Sequence, residues 1–203
     1  MRLLFVRHGE SEANRLRVLS NRGWKHPLTV RGRAQSRRLA ASLREKMVIA
    51  IHSSPLRRAV ETSQILAAEL GIPMAVADAL CEYDVGDYED RGDDDAWELL
   101  VSIEQRWDEG DLDARMPGGE SCRDIRSRFA PFVAGLLEPP GSDDATLVLV
   151  GHGGTFRRAL PGVLANVEPR YAADRHLPNT GVVEAVLRDG VLCCVRWGDE
   201  AFE

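Results

Sequence analysis

The chain has 203 residues, 44% of them apolar, and carries a formal net charge of −6. That is enough for one sizeable α/β domain spanning residues 1–203 with a full core. No apolar run approaches the roughly 20 residues that span a bilayer, and Met1-Arg2 leads straight into the first apolar segment, so neither a membrane span nor a leader is expected. The acidic balance argues against nucleic acid as a general partner. Cys81, Cys122, Cys193 and Cys194 have no metal-ligand spacing, and reduced thiols in a cytoplasm are the simplest expectation.

The first predicted element is a buried strand, Leu3-Leu4-Phe5-Val6, which stops without a spacer at Arg7-His8-Gly9-Glu10-Ser11. Strand ends that meet polar, ionisable residues are where open α/β sheets place ligands. Arginine supplies a planar fork of donors suited to phosphate, and glycine allows close backbone approach. Thr29 then reads as the N-cap of a helix through Ala34, Leu39 and Leu43. A second strand, Val48-Ile49-Ala50-Ile51, runs into His52, for which packing and site roles are both open, and then Ser53-Ser54-Pro55-Leu56-Arg57-Arg58. Ser54 as N-cap and Pro55 as first helical residue predict a helix through Ala59, Ile65, Leu66 and Leu70, closed by Gly71 and Pro73. This phase puts Arg57 near the sheet edge of His8 and turns Arg58 to solvent.

A short strand is expected at Met74 to Val76, followed by Glu82 and an acidic run of Asp84, Asp87, Glu89, Asp90 and Asp93 to Asp95. Spacing there does not match a calcium loop, so carboxylates at a helix start are the expectation. The helical stretch after them contains Trp97, Leu100 and Trp107. Pro117-Gly118-Gly119-Glu120-Ser121 precedes a helix capped by Ser121 with Asp124, whose apolar face is Ile125, Phe129, Phe132, Val133 and Leu136, with Pro131 expected to kink it. The strand-to-histidine junction recurs at Thr146-Leu147-Val148-Leu149-Val150 followed by Gly151-His152-Gly153-Gly154-Thr155. The helical Phe156-Arg157-Arg158-Ala159-Leu160 then aims unpaired N–H groups at the site. Val182 to Leu187 and Val191 to Trp197 form a hairpin across Arg188-Asp189-Gly190, with adjacent Cys193 and Cys194 on opposite faces. Helices alternating with strands before a terminal hairpin predict a three-layer α/β/α sandwich with a mostly parallel mixed sheet.

The ordered set Arg7-His8-Gly9-Glu10-Ser11, Ser53-Ser54-Pro55-Leu56-Arg57, Glu82, Pro117-Gly118-Gly119-Glu120-Ser121 and Gly151-His152-Gly153-Gly154 resembles the histidine phosphatase superfamily. That family contains the cofactor-dependent phosphoglycerate mutases and many small phosphatases. Lesser matches at Asn14, Leu28-Thr29, Gly32, Gln35 and Pro178-Asn179-Thr180 extend the resemblance from Leu3 to about Val195. It implies a phosphoglycerate mutase-like fold with His8 as nucleophile, carrying a phosphohistidine. Arg7, Arg57 and His152, with Asn14, Ser11 and Gly153, would bind the phosphoryl group. Glu82 would be the proton donor, with Asp84 as its rival. No metal or cofactor is implied, and the partner is a small phosphorylated metabolite. Asp90 stands where the family usually has glycine and Tyr88 where it often has tryptophan.

The acidic run after Glu82 is the expected specificity element, its carboxylates at the mouth repelling highly anionic substrates. The family's mutases carry a longer insertion there, with an arginine pair and an extended C-terminal tail. Here only Arg106 and Arg115 could substitute, so a phosphatase is expected. The alternatives are a bisphosphoglycerate-dependent mutase, a non-catalytic phosphate-binding protein on the same fold, and a metal-dependent hydrolase using His8, Glu10 and His152. A homodimer is compatible with the sequence.

Overall fold

Residues 1–138 and 145–202 are described by a computed structural model of the chain. In chain order the elements are β1 (Arg2–Arg7), α1 (Glu12–Leu16), α2 (Val30–Leu43), β2 (Val48–Ser53), α3 (Arg57–Leu70), β3 (Met74–Val76) and α4 (Asp94–Asp108). They continue with α5 (Cys122–Leu136), β4 (Thr146–Gly151), α6 (Gly153–Ala159), α7 (Pro169–Ala173), β5 (Val182–Arg188), β6 (Val191–Trp197) and β7 (Glu200–Ala201). Most helix starts follow from local chemistry. Thr29 accepts from the Gly32 N–H, and Ser121 with Asp124 closes a capping box at α5. The turn between β5 and β6 is made by Asp189 and Gly190, both at positive φ, as a tight hairpin requires.

The strands form one sheet in the order β3-β2-β4-β1-β5-β6-β7. β1, β2, β3 and β4 run parallel, and β5, β6 and β7 add as an antiparallel edge. The central strands bury both faces, which explains their uninterrupted apolar sequence. Leu3 and Phe5 on one face join Ile125, Phe129 and Phe156 in a core beneath α4, α5 and α6. Leu4 and Val6 on the other join Ala40, Leu43 and Leu66 beneath α2 and α3. The architecture is therefore the expected three-layer α/β/α sandwich with a mixed sheet.

One local expectation changes. α3 begins at Arg57, two residues later than the Ser54-Pro55 signal predicts, with Leu56 at the N-cap and no side-chain cap bond. Ser54 is drawn instead into a bond with His152 and accepts the Leu56 N–H. Pro131 lies inside α5, which runs on to Leu136, and having no N–H it cannot bond to the preceding turn.

Candidate active site

β1 and β4 are adjacent and parallel, with Arg7 opposite Gly151, so the two predicted strand-end histidines emerge side by side. Their ring centroids are 5.1 Å apart, and both are buried. His8 Nδ1 lies 2.7 Å from the Gly9 carbonyl, and Nε2 lies 3.1 Å from Arg58 Nε. A carbonyl can only accept and a guanidinium can only donate, so the tautomer is fixed: Nδ1 carries the proton and Nε2 presents its lone pair. Burial, then the cations Arg58 and Arg7, hold the His8 pKa well below the ordinary imidazole value. His152 is likewise pushed well down, by burial and then by Arg58.

The second pocket arginine is Arg58, which corrects the sequence expectation of Arg57. Because α3 starts two residues late, its first turn is rotated by about 100° per residue, and Arg58 faces inward. Its guanidinium is buried, donating to His8, to the Ser20 carbonyl at 2.7 Å and to Asn21. Burial lowers its pKa to about 10, so it remains a cation at neutral pH. Arg57 instead pairs with Glu61 at 2.9 Å along the outer face of α3. Ser11 is also corrected: its hydroxyl is committed to capping α1 with Asn14 and does not line the cavity.

Arg7 reaches the Leu177 carbonyl at 2.7 Å and His176 Nε2 at 2.9 Å through Nη1. Its Nε, like His152 Nδ1, is buried with no partner among the described residues. Two buried polar atoms lacking partners lie beside the His8 imidazole, a pattern suited to binding an anion. Asn14 lines the same cavity, its carbonyl oxygen held by Ser11 and Asn179. Asn179 also donates to the His8 carbonyl.

Glu82 enters from the turn before Tyr83 and is gripped at both oxygens. Thr155 N–H donates to Oε1 at 2.6 Å, Gly154 N–H donates to Oε2 at 3.1 Å, and the Thr155 hydroxyl proton is shared between Oε1 at 2.9 Å and the Cys81 carbonyl at 2.8 Å. A Cβ on Gly154 would lie 2.8 and 2.9 Å from those oxygens, so this grip requires glycine. Gly153 lines the cavity and packs against Arg7. Asp84 points away, bonding the Gly86 N–H and Arg22. His52 packs edge-on against Phe132 and takes no part. Glu10 bonds Thr29 and pairs with Arg31, leaving His8 and His152 without the carboxylate that a metal-ligand reading needs. Among the described residues no group of three or more His, Cys, Asp or Glu side chains is arranged to hold a metal.

The cavity lined by Arg7, His8, Asn14, Arg58, Glu82 and Gly153 has a volume of about 250 Å³, and the fully buried His152 does not itself line it. Its far wall contains residues that carried no sequence signal: Asn21, Glu104 and Arg157, plus His176 from the loop before β5. Glu104 accepts from Tyr83 Oη and from Arg157, both at 3.0 Å. A larger hollow of about 640 Å³ between α2 and the β6–β7 end contains neither histidine of the pair nor Glu82, so it is not the reaction site.

The acidic run does not gather at the mouth, contrary to expectation. Asp84 and Asp90 pair with Arg22 and Lys25, Glu89 accepts the Asn21 and Arg22 N–H groups, and Asp93 caps α4 while pairing with Arg91. Asp90, standing in place of glycine, adopts φ +64° and donates its N–H to Leu19. Aspartate tolerates that left-handed backbone better than most residues.

A family model described as the histidine phosphatase superfamily, branch 1, matches residues 3–200. A Hydrogenobacter thermophilus protein provisionally named phosphoserine phosphatase 2 is 30% identical over 186 residues, covering 90% of this chain and 88% of that one. The 2,3-bisphosphoglycerate-dependent phosphoglycerate mutase of Brucella melitensis biotype 2 is 35% identical over 191 residues, covering 89% and 88%. Among solved structures, a mycobacterial glucosyl-3-phosphoglycerate phosphatase superposes with a TM-score of 0.83 at 26% identity, covering 98% of this chain and 99% of that one.

Proposed function

The chain belongs to the histidine phosphatase superfamily, and from that premise we propose that it hydrolyses phosphate monoesters through a phosphohistidine on His8, without a metal. The observation that carries this reading is the His8 tautomer: a neutral, buried imidazole with its lone pair on Nε2, beside Arg58, Arg7 and the partnerless His152 Nδ1. Nε2 attacks phosphorus as the bond to the leaving oxygen breaks, and Glu82 delivers a proton to that oxygen. The imidazole becomes cationic as it is phosphorylated, and its Nδ1–H remains bonded to the Gly9 carbonyl. Arg58, Arg7 Nε and His152 Nδ1–H bind the equatorial oxygens, supplying the positive charge that a metal would otherwise provide. Ser54 orients His152 for this by donating to its Nε2 while accepting the Leu56 N–H. Glu82, now a carboxylate, takes a proton from water, which attacks phosphorus and breaks the P–N bond to release inorganic phosphate.

Hydrolysis is favoured over mutase action by where the spare cations lie. Arg106 pairs with Asp111 and Arg115 with Asp124, neither at the cavity. Arg157 is occupied by Glu104, which leaves Arg17, beside Trp97 at the adjoining surface, as the unpaired cation nearest the cavity among the described residues. The mutase relative keeps that reading testable: phosphate release from 3-phosphoglycerate is measured with and without the bisphosphate and with a chelator. Release that needs no bisphosphate, survives the chelator and disappears in His8→Ala supports hydrolysis; isomerisation dependent on the bisphosphate overturns it. All four cysteines are free thiols, which fits a reducing cytoplasm, and among the described residues no helix is long and apolar enough to cross a membrane.

A further inference from the structure

Beside the polar far wall, one side of the cavity is apolar. Val18 and Leu19 follow α1, and Trp97, Leu100 and Val101 project from α4. Trp97 is not free to swing away, because its Nε1–H is bonded to the Arg17 carbonyl at 2.9 Å. Val101 is 48% exposed although it lines the cavity, so apolar surface lies open where a leaving group would cover it. The charged residues Glu104 and Arg157 on this side pair with each other, and Tyr83 Oη adds a third contact to the same carboxylate.

Resting on the phosphatase reading above, we propose that the physiological substrate is a phosphate monoester of an uncharged, largely apolar alcohol, its hydrocarbon body laid against Trp97, Leu100 and Val101. Selection arises from packing against this wall. The carboxylates of the acidic run are held away from the cavity by Arg22, Lys25 and Arg91, so they do not provide it.

The test compares alkyl monoesters so that intrinsic leaving-group reactivity stays similar: 2-phenylethyl phosphate, 3-phosphoglycerate and fructose 1,6-bisphosphate, with wild type, Val101→Lys and Trp97→Ala. Apolar pockets discriminate by factors of ten or more for small changes in fit, so kcat/KM for 2-phenylethyl phosphate is expected to exceed that for either anionic substrate at least about tenfold. Val101→Lys should shift the ratio toward 3-phosphoglycerate, a gain that misfolding cannot mimic, and Trp97→Ala should flatten it. Equal or better turnover of the anionic esters by wild type, or an unchanged ratio in Val101→Lys, overturns this inference and leaves the phosphatase reading intact. Absence of phosphate release from every ester overturns the phosphatase reading itself.

Discussion

Replacing Arg58 and Arg57 separately by alanine separates two neighbouring guanidiniums that the structure assigns to different tasks. Arg58 Nε stands 3.1 Å from His8 Nε2, the proposed nucleophile, and its other nitrogens anchor the Ser20 carbonyl and Asn21. Removing one preorganised donor from developing charge costs about 2.7–4 kcal/mol, or about 10²–10³ in kcat. Arg57 forms an i,i+4 pair with Glu61, and Glu61 keeps Arg33 at 2.9 Å when Arg57 is gone. Such a pair contributes about 0.3–0.5 kcal/mol, so Arg57→Ala should leave kcat within about twofold. A second readout is the pH profile. Arg58 helps hold His8 well below the ordinary imidazole pKa, and the neutral imidazole is the attacking form. Losing that cation raises the His8 pKa, so the acid limb of kcat/KM moves to higher pH in Arg58→Ala and stays put in Arg57→Ala. Steady-state kinetics between about pH 4.5 and 8.5, an interval of about two units either side of the free imidazole value, with melting curves to check folding, measure both. A hundredfold loss in a folded Arg57→Ala, with little change in Arg58→Ala, refutes the assignment.

Further perturbations test the parts around this pair. Thr155→Val removes the hydroxyl that donates to Glu82 Oε1 at 2.9 Å and should lower kcat about tenfold with little change in KM; a KM effect alone contradicts the orienting role. Gly154→Ala should lower both activity and melting temperature, because its Cβ would meet the buried Tyr83 ring at 2.5 Å and the Glu82 oxygens at 2.8 and 2.9 Å. Phe129→Ala, which empties a fully buried position packed on Phe5 and Phe156, should destabilise the fold by about 3–5 kcal/mol in urea titration. His8 and His152 both have depressed pKa values in the folded chain, so the unfolded chain binds more protons below about pH 6.5. Stability is then fully present above that pH and falls as the medium becomes more acidic, by up to about 1.4 kcal/mol per pH unit for each imidazole, with a shallower slope expected in His8→Asn.

The strand-end histidines were legible because an apolar run ending at Arg7-His8 or Gly151-His152 carries its own geometry: parallel pairing in register brings the two ends together. The inward arginine was not, because it depended on helix phase. Ser54-Pro55 is a sound local start signal, but the Ser54 hydroxyl is claimed by His152, a contact made by 98 residues of intervening chain. The same limit hid Glu104, Arg157 and His176, whose meeting in the cavity wall is decided by how α4, α6 and the loop before β5 dock. The acidic run misled for a related reason. Its partners, Arg22 and Lys25, lie some 60 residues earlier, so its neutralisation is a tertiary property that charge spacing within the run does not reveal.

The central claim is that His8 Nε2 is the atom that takes the phosphoryl group. Rapid quenching of a reaction with labelled monoester in Glu82→Gln, followed by mass-spectrometric mapping at neutral to alkaline pH, tests it most directly. With an aryl monoester such as 4-nitrophenyl phosphate, whose phenolate leaves without a donated proton, the account predicts phosphate on Nε2 of His8, accumulating in Glu82→Gln and absent in His8→Ala, with or without chelator. Phosphate release by His8→Ala at wild-type rate, or a phosphoryl group trapped on any other residue, would contradict it.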